Sequence, residues 1–213
     1  AGIVHSDPAH PVSSDTVQRM CDRIVHRGPD DYGSYVTGAV GIGMRRLSII
    51  DLAGGKQPIP NEDRTVWVIL NGEIYNYKEL KRQLEAKGHR FSTASDTEVI
   101  VHLYEEYGPD CVTKLRGMFA FAVWDLRQQT LMLARDRVGI KPLYYAELPT
   151  GLAFASELKA LLTLPELPRA VSSQAVAEYV AHLCVPGRLS IFDAVPKLLP
   201  AHRLLYRHGR VSV

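Results

Sequence analysis

The sequence predicts a layered α+β domain, with an αββα sandwich as its fuller form. Strand-like runs occur in two groups, and helical patterns occur before, between and after them. The chain has 213 residues, which suits one domain with a single large core better than two domains of about 100–200 residues each.

The first strand group begins at the start of the chain. Residues 1–4 are apolar and typical of a buried strand. Residues 15–25 have apolar residues at helical spacing, and Asp15 is the expected N-cap. The segment HRGPDDYG is expected to be a loop, because glycine, proline and aspartate favour turns. Strand-like runs follow at 39–44, 46–50 and 65–72.

Two helices are expected between the strand groups. The first spans 76–87, with Asn76 as its cap and Gly88 at its end. In the second, Ser95 and Glu98 have the spacing of a capping box, in which each side chain bonds the other residue's backbone amide.

The second strand group starts near residue 118 and contains MFAFAVWDLR, TLMLARDRV, PLYYAE and GLAFASE. Polar and apolar residues alternate poorly in the first of these runs. This pattern indicates strands buried on both faces, between two layers. A helix over 172–183 and a hairpin-like pair after 202 complete the chain.

Composition narrows the class of protein. Net charge is +2 and no basic stripe is present, so neither nucleic acid nor a membrane surface is an expected partner. No apolar run approaches the ~18–20 residues of a membrane helix, and the first residues do not resemble a signal peptide. Three cysteines without paired or histidine-rich spacing predict no metal site and a reducing, cytoplasmic setting.

Asn71, Gly72 and Glu73 follow the apolar strand VWVIL. An asparagine amide and a glycine N–H at a strand end can both point at one spot, as the oxyanion hole of an acyl-transfer enzyme requires. Asn-Gly is also the strongest short signal for a hairpin turn, so the pattern leaves both interpretations open.

Two charged residues have similar alternatives. Arg46, in RRLSIID, can clamp a carboxylate as a bidentate pair or lie solvated at a strand end. Asp96 can be the counter-ion of a ligand amine or a helix-start residue favoured by free N–H groups.

Cys21, Cys111 and Cys184 are candidate nucleophiles only if a histidine lies nearby. Cys21 and Cys184 fall on apolar helix faces, and Cys111 falls at a helix start. Free cysteine usually behaves as a small buried hydrophobe, so core packing is the expected role of all three.

The order of the motifs resembles the glutaminase half of asparagine synthetases. An early Gly-Ile is followed by HRGPDDYG, RRLSIID, LNGEIYNY, ASDTEVIVHLYEEYG, RGMFAFAVWD, RDRVGIKPLYY and ASELKAL. The match is specific from residue 1 to about 162 and looser to 213. The resemblance implies a class II glutamine amidotransferase with the four-layer αββα sandwich of N-terminal nucleophile hydrolases, built from two largely antiparallel sheets.

In that family a first-position cysteine attacks the side-chain amide of L-glutamine, and its own α-amine is the base. Here the position is occupied by Ala1, which has the amine but no nucleophile. Either a cysteine was replaced by alanine to trap glutamine, or the chain is a naturally silent homologue. Retention of Arg46, Asn71 and Asp96 favours the replacement.

The resemblance also implies roles for the other residues. Asn71 and the Gly72 N–H correspond to the oxyanion hole, and Arg46 to the clamp on the glutamine α-carboxylate. Glu73 and Asp96 correspond to the acids that take the α-ammonium. The substrate is lined by the backbone of Leu47, Ser48, Ile49 and Ile50.

The domain organisation follows from the same resemblance. Residues 1–190 are expected to form the amidotransferase domain, and 191–213 its C-terminal part, leading to an absent ATP-dependent synthetase domain. The chain has no phosphate-binding loop, so ATP and Mg²⁺ are expected only in that absent domain and no cofactor in this one. A homodimer, a different carboxylate acceptor for the ammonia, and a non-enzymatic glutamine-binding module are left open.

Overall fold

Two antiparallel β-sheets lie face to face between two layers of helices in this computed structural model, which describes residues 1–47, 50–51 and 54–213. The described residues form these strands: β1 (Gly2–His5), β2 (Asp31–Thr37), β3 (Val40–Arg46), β4 (Ile59–Pro60), β5 (Val66–Ile74), β6 (Gly117–Asp125), β7 (Thr130–Arg135), β8 (Tyr144–Leu148), β9 (Gly151–Ala155), β10 (Arg203–Arg207) and β11 (Arg210–Ser212). Their α-helices are α1 (Ser14–Asp22), α2 (Tyr77–Ala86), α3 (Glu98–Tyr107), α4 (Leu158–Leu161) and α5 (Ser173–His182). The predicted αββα sandwich is confirmed.

The first sheet has the strand order β2-β3-β1-β9-β8, and the second has the order β11-β10-β7-β6-β5-β4. β1 pairs with β3 on one side and with β9 on the other. The start of the chain therefore lies at the centre of a sheet. In the second sheet β5 pairs along its whole length with β6.

Three apolar clusters hold the four layers together. One lies between the sheets and includes Ile42, Leu133 and Phe154. Another packs α2 and α3 against the second sheet, and the third packs α1 and α4 against the first sheet. Burial on both faces explains why β6 lacks alternation: the last seven of its nine residues are buried.

Several local predictions were wrong. α1 is capped by Ser13, whose hydroxyl accepts from the Asp15 amide, so Asp15 lies inside the first turn. Ser95 and Glu98 form no capping box, because the Glu98 carboxylate bonds the Ser92 and Thr93 amides instead. Residues 26–33 were expected to form a loop, but residues 31–33 belong to β2.

Other corrections concern the strand expected over 46–50 and one cysteine. β3 ends at Arg46, and Leu47 and Ile50 belong to no strand. Cys21 and Cys111 are buried as expected, but Cys184 is exposed beyond the end of α5. Across the ranges that the structure describes, no helix has both the length and the apolar character to cross a membrane.

Candidate functional site

A cavity of about 380 Å³ lies beside the C-terminal half of β5. Its described lining includes most of the residues predicted for the site: Arg46, Leu47, Ile50, Asn71, Gly72, Glu73 and Asp96. Ala1 lies in an adjoining cavity of about 50 Å³, which has Asn71, Arg27, Met44, Arg45 and Leu70 in common with the first. Ser48 and Ile49 fall outside the described residues. The structure therefore brings the described candidate residues to two adjoining cavities.

Asn71 and Gly72 do not form a hairpin turn. They lie within β5, opposite Ala120 and Phe119 of β6, and the strand continues to Ile74. The hairpin alternative is therefore wrong, and the strand expected over 65–72 extends two residues further, to Ile74.

The backbone at Gly72 requires glycine. Its φ is +147°, and a Cβ atom there would overlap the Met118 carbonyl oxygen. A side chain would push the two strands apart. The Asn71 amide points out of the strand and donates a 3.4 Å hydrogen bond to Ser156 Oγ. Both groups are thus fixed by the sheet before any ligand arrives.

Asp96 is buried, and its Oδ2 accepts a 2.8 Å hydrogen bond from the Ile74 amide. It makes no capping bond to α3, which begins two residues later, so the helix-cap alternative is wrong. Burial raises the pKa of the Asp96 carboxyl, and the negative charge of Glu73 raises that pKa further. Among the described residues neither acid has an ion-pair partner. A cationic group of a ligand would favour the ionised form of both carboxyls.

Arg46 is also not a solvated strand end, since only 7% of it is exposed. Its Nη2 donates hydrogen bonds of 2.8 and 2.7 Å to the carbonyl oxygens of Ile50 and Asp51. Asp51 in turn accepts from the Ala94 amide at 2.9 Å, two residues before Asp96. The arginine therefore ties the described part of the loop after β3 to the acidic side of the cavity, with no carboxylate bound to it there.

The α-amine of Ala1 is buried and donates a 2.9 Å hydrogen bond to the Gly43 carbonyl oxygen. Burial lowers the pKa of this amine below its usual range. A lowered pKa leaves more of the amine neutral near pH 7, as a general base requires. The amine thus has the electrostatic setting of a base, beside a side chain that has no nucleophilic atom.

The cysteines do not replace the missing nucleophile. None of the three is among the described residues that line the two cavities. Burial raises the pKa of the Cys21 thiol, and it raises the pKa of Cys111 to about 12, so both remain protonated and unreactive. Cys184 lines a different cavity, beyond α5.

Sequence reasoning missed Gln57 and Arg27 as lining residues. The Gln57 side chain accepts from the Leu70 amide at 2.7 Å and donates to Thr97 Oγ1 at 3.2 Å. It therefore bridges β5 and the start of α3. Arg27 donates to Glu157 at 2.9 Å. Its only sequence signal is its place in HRGPDDYG, because an arginine in a turn-rich segment otherwise looks like a surface residue.

Comparison of the sequence with known protein families and proteins agrees with this geometry. The glutamine amidotransferase domain family matches residues 1–213. Asparagine synthetase [glutamine-hydrolyzing] 1 of Bacillus subtilis is 42% identical over 97% of this chain and 33% of its own length. Asparagine synthetase [glutamine-hydrolyzing] 2 of the same organism is 53% identical over 70% of this chain and 20% of its own length. The chain thus spans a third or less of these relatives.

Solved structures show the same fold at low identity. Glutamine phosphoribosylpyrophosphate amidotransferase of B. subtilis superposes with a TM-score of 0.69 at 20% identity, over 99% of this chain and 47% of that one. A regulatory enzyme of purine biosynthesis gives 0.57 at 22% identity, over 83% of this chain and 35% of that one. With the family match over its full length, the chain belongs to the glutamine amidotransferase domain family.

Proposed function

We propose that this chain is the glutamine-binding domain of an asparagine-synthetase-type amidotransferase. One observation carries the proposal. A buried guanidinium, two fixed neutral donors and two acids that have no ion-pair partner among the described residues surround one cavity, next to a buried N-terminal amine. These groups match the charges of L-glutamine and the polarity of its side-chain amide.

The fit can be followed group by group. The Arg46 guanidinium is the partner for the α-carboxylate, and Glu73 with Asp96 is the partner for the α-ammonium. The side-chain carbonyl then lies toward Asn71 and the Gly72 N–H. Donors held in advance by a strand stabilise negative charge on that oxygen without having to reorganise.

A cysteine at position 1 would complete the reaction. Its sulfur would attack the amide carbon, and its α-amine would accept the thiol proton and deliver it to the leaving nitrogen, releasing ammonia. Water would then cleave the thioester to give glutamate and restore the thiol. Ala1 removes the attacking atom only, so this chain is expected to hold glutamine without hydrolysing it.

The ammonia needs an acceptor that this chain does not provide. Because the chain spans about a third of the length of its B. subtilis relative, a synthetase domain using ATP and Mg²⁺ is proposed for the remainder of the natural protein. α5 carries an exposed apolar face of Val176, Tyr179 and Val180, which the following Leu183 extends. Such a face is unusual for a helix that packs only on its own domain. We assign this face to contact with the synthetase domain.

A second candidate function rests on Ala1 taken as the natural residue. The chain would then be a glutamine-binding module that controls or docks a partner without catalysis. The catalytic domain and the binding module require the same pocket. They differ in whether Ala1→Cys produces glutaminase activity.

Calorimetric titration of the purified chain tests the pocket itself. L-glutamine should bind with one site per chain. D-glutamine should bind far more weakly because its charged groups exchange places, and L-asparagine because its amide is one methylene too short to reach Asn71. Absence of binding at millimolar L-glutamine would overturn the proposal.

A further inference from the structure

Four side chains converge on one spot outside the candidate site: Glu62, His89, His102 and Glu105. Glu62 follows β4, His89 follows α2, and the other two are on α3, one turn apart. One ligand atom from each lies within 4.8 Å of all the others. The sequence gives no sign of this cluster, because three separate segments supply it.

Three of the interatomic distances are close to those between the ligand atoms of a bound metal ion, and the others do not exceed 4.8 Å. His102 Nδ1 lies 3.2 Å from Glu105 Oε2 and 3.5 Å from Glu62 Oε2. His89 Nδ1 lies 3.7 Å from Glu105 Oε2. A tetrahedral zinc ion with bonds of about 2.0–2.2 Å separates neighbouring ligand atoms by about 3.3–3.6 Å.

The groups around the cluster provide an independent observation. Both imidazole rings turn Nδ1 inward, and both turn Nε2 toward a carboxylate outside the cluster. His89 Nε2 lies 3.2 Å from Glu106 Oε1, and His102 Nε2 lies 3.8 Å from Glu98 Oε1. A carboxylate hydrogen-bonded behind a histidine is the usual arrangement around bound zinc, where it fixes the ring and its tautomer. His89 has that bond, whereas His102 Nε2 faces Glu98 at a distance beyond a hydrogen bond and has no other partner among the described residues.

The two glutamates are likewise held by their outer oxygens. Glu62 Oε1 accepts from the Arg90 amide at 2.8 Å, and Glu105 Oε1 accepts from Asn61 Nδ2 at 2.7 Å. Glu105 therefore keeps Oε2 turned toward both histidines, while Glu62 places Oε2 near His102 and Oε1 3.7 Å from His89 Nδ1. His102 is fully buried while Glu62 is exposed, so the cluster is closed on the core side and open to solvent on the other.

We propose that Glu62, His89, His102 and Glu105 form a binding site for a divalent transition-metal ion of the zinc type. Imidazole and carboxylate are ligands that suit Zn²⁺, and two carboxylates balance its charge. None of the four is among the described residues lining the candidate site. The ion would join the β4–β5 turn, the α2–α3 connection and α3, so its role is structural.

Zn²⁺ alone is the probe, added to metal-free, untagged chain and followed by native mass spectrometry and calorimetry. One ion per chain is expected. Co²⁺ in its place should give the absorption bands of a tetrahedral nitrogen–oxygen site, without the intense charge-transfer band of a cysteine ligand.

Variants locate the ion. Glu105→Gln keeps the acceptor for Asn61 and removes the charged ligand. His89→Gln removes an imidazole that is 13% exposed. Each should weaken Zn²⁺ binding by more than about 100-fold, the upper end for losing an outer partner. Glu106→Gln should weaken it by about 10–100-fold.

His182→Gln is the matched control, because His182 lies 3.4 Å from Glu178 on α5 and belongs to no cluster of metal-ligating side chains among the residues that the structure describes. It should leave Zn²⁺ binding unchanged. Circular dichroism and glutamine binding verify that each variant is folded. Absence of a bound ion at micromolar Zn²⁺, or unchanged affinity in folded Glu105→Gln and His89→Gln, would mean that the four residues form an ion-pair network only.

Discussion

The backbone amide of Ile74 donates a 2.8 Å hydrogen bond to Asp96 Oδ2. This bond joins the end of β5, which carries Asn71 and Gly72, to the segment that precedes α3. The amide-facing donors and the ammonium-facing acid of the proposed pocket are therefore positioned by one contact between two elements. A shift of β5 or of the segment before α3 would therefore displace the amide-facing donors and Asp96 relative to each other.

The raised pKa of Asp96 makes glutamine binding depend on pH. Burial and the charge of Glu73 raise the pKa of Asp96 in the free protein, while a bound ammonium would lower it again. Glutamine binding should then weaken as pH falls from 7 through the raised pKa, with proton release on binding. Calorimetry at several pH values, in buffers of different ionisation enthalpy, measures both effects.

Asp96→Asn identifies the group responsible. The amide oxygen still accepts from Ile74, so the fold should persist, and binding at pH 7 should weaken by about 2–5 kcal/mol for a lost buried charge partner. The pH dependence should also become flatter. Glu79→Gln, an exposed acid on α2, is the control. An unsubstituted chain with the same affinity at pH 7 and pH 4 would contradict the assignment.

Arg46→Ala is expected to weaken L-glutamine binding by about 2–4 kcal/mol. Arg46 also holds the carbonyl oxygens of Ile50 and Asp51, so truncation could act through the loop alone. The analogue 4-aminobutanamide separates these effects because it lacks the α-carboxylate. It should bind both proteins about equally if Arg46 is a clamp, and the clamp is wrong if the analogue loses as much affinity as glutamine.

The overall fold follows from the sequence more directly than the local structure does. Strands such as β6 and β7 are long apolar runs between clear turns, and hydrophobic periodicity reports them well. β2 was not predicted at all, because Asp31 and Gly33 are typical turn residues and its pairing with β3 decides the outcome.

Within the site, too, local sequence patterns predict less than the order of the motifs does. Glu98 has the spacing of a capping box, but the nearby Ser92 and Thr93 amides compete successfully for its carboxylate. Asn71, Gly72 and Arg46 could be named in advance only through the order of the motifs. Each has a commoner structural use that local pattern alone favours, and only the strand pairing decides against the Asn-Gly turn.

Gly72→Ala should lower the free energy of unfolding by more than the cost of its positive φ angle alone. A positive φ alone costs of the order of 1–3 kcal/mol for a residue with a side chain, and here the methyl group would also overlap the Met118 carbonyl. Gly88→Ala is the matched control, with φ +100° and open space around the added atom. Urea unfolding should show the larger loss at Gly72, and equal losses would refute the steric argument.

Asn71→Ala, made in a chain with Ala1→Cys, should reduce the turnover of glutamine by about 100–1,000-fold, the cost of one oxyanion donor. Binding of L-glutamine should change much less, since the amide donor acts mainly on the charge that develops during the attack. Steady-state ammonia release, together with calorimetry, separates the two quantities. A change confined to affinity would remove Asn71 from the oxyanion hole.

Restoring Ala1→Cys should produce glutaminase activity, provided that the new α-amine is free. The thiol supplies the nucleophile, which no rearrangement of neighbouring residues can replace. The amine supplies the base, and burial lowers the pKa of this buried N-terminal amine, so the rate should fall as pH drops through that pKa and the amine becomes protonated.

Ammonia release is measured for three proteins: the present chain, Ala1→Cys with a processed terminus, and Ala1→Cys with an acetylated terminus. Acetylation converts the amine into an amide that cannot accept a proton near neutrality, while leaving the thiol in place. Only the second protein should be active. Equal activity in the acetylated form would refute the role of the α-amine as base, and activity of the present chain would point to Cys21, Cys111 or Cys184 as the nucleophile. Inactivity of all three proteins, with glutamine still bound, would favour the non-catalytic binding module, because the pocket would then be intact while the chemistry it is built to support is absent.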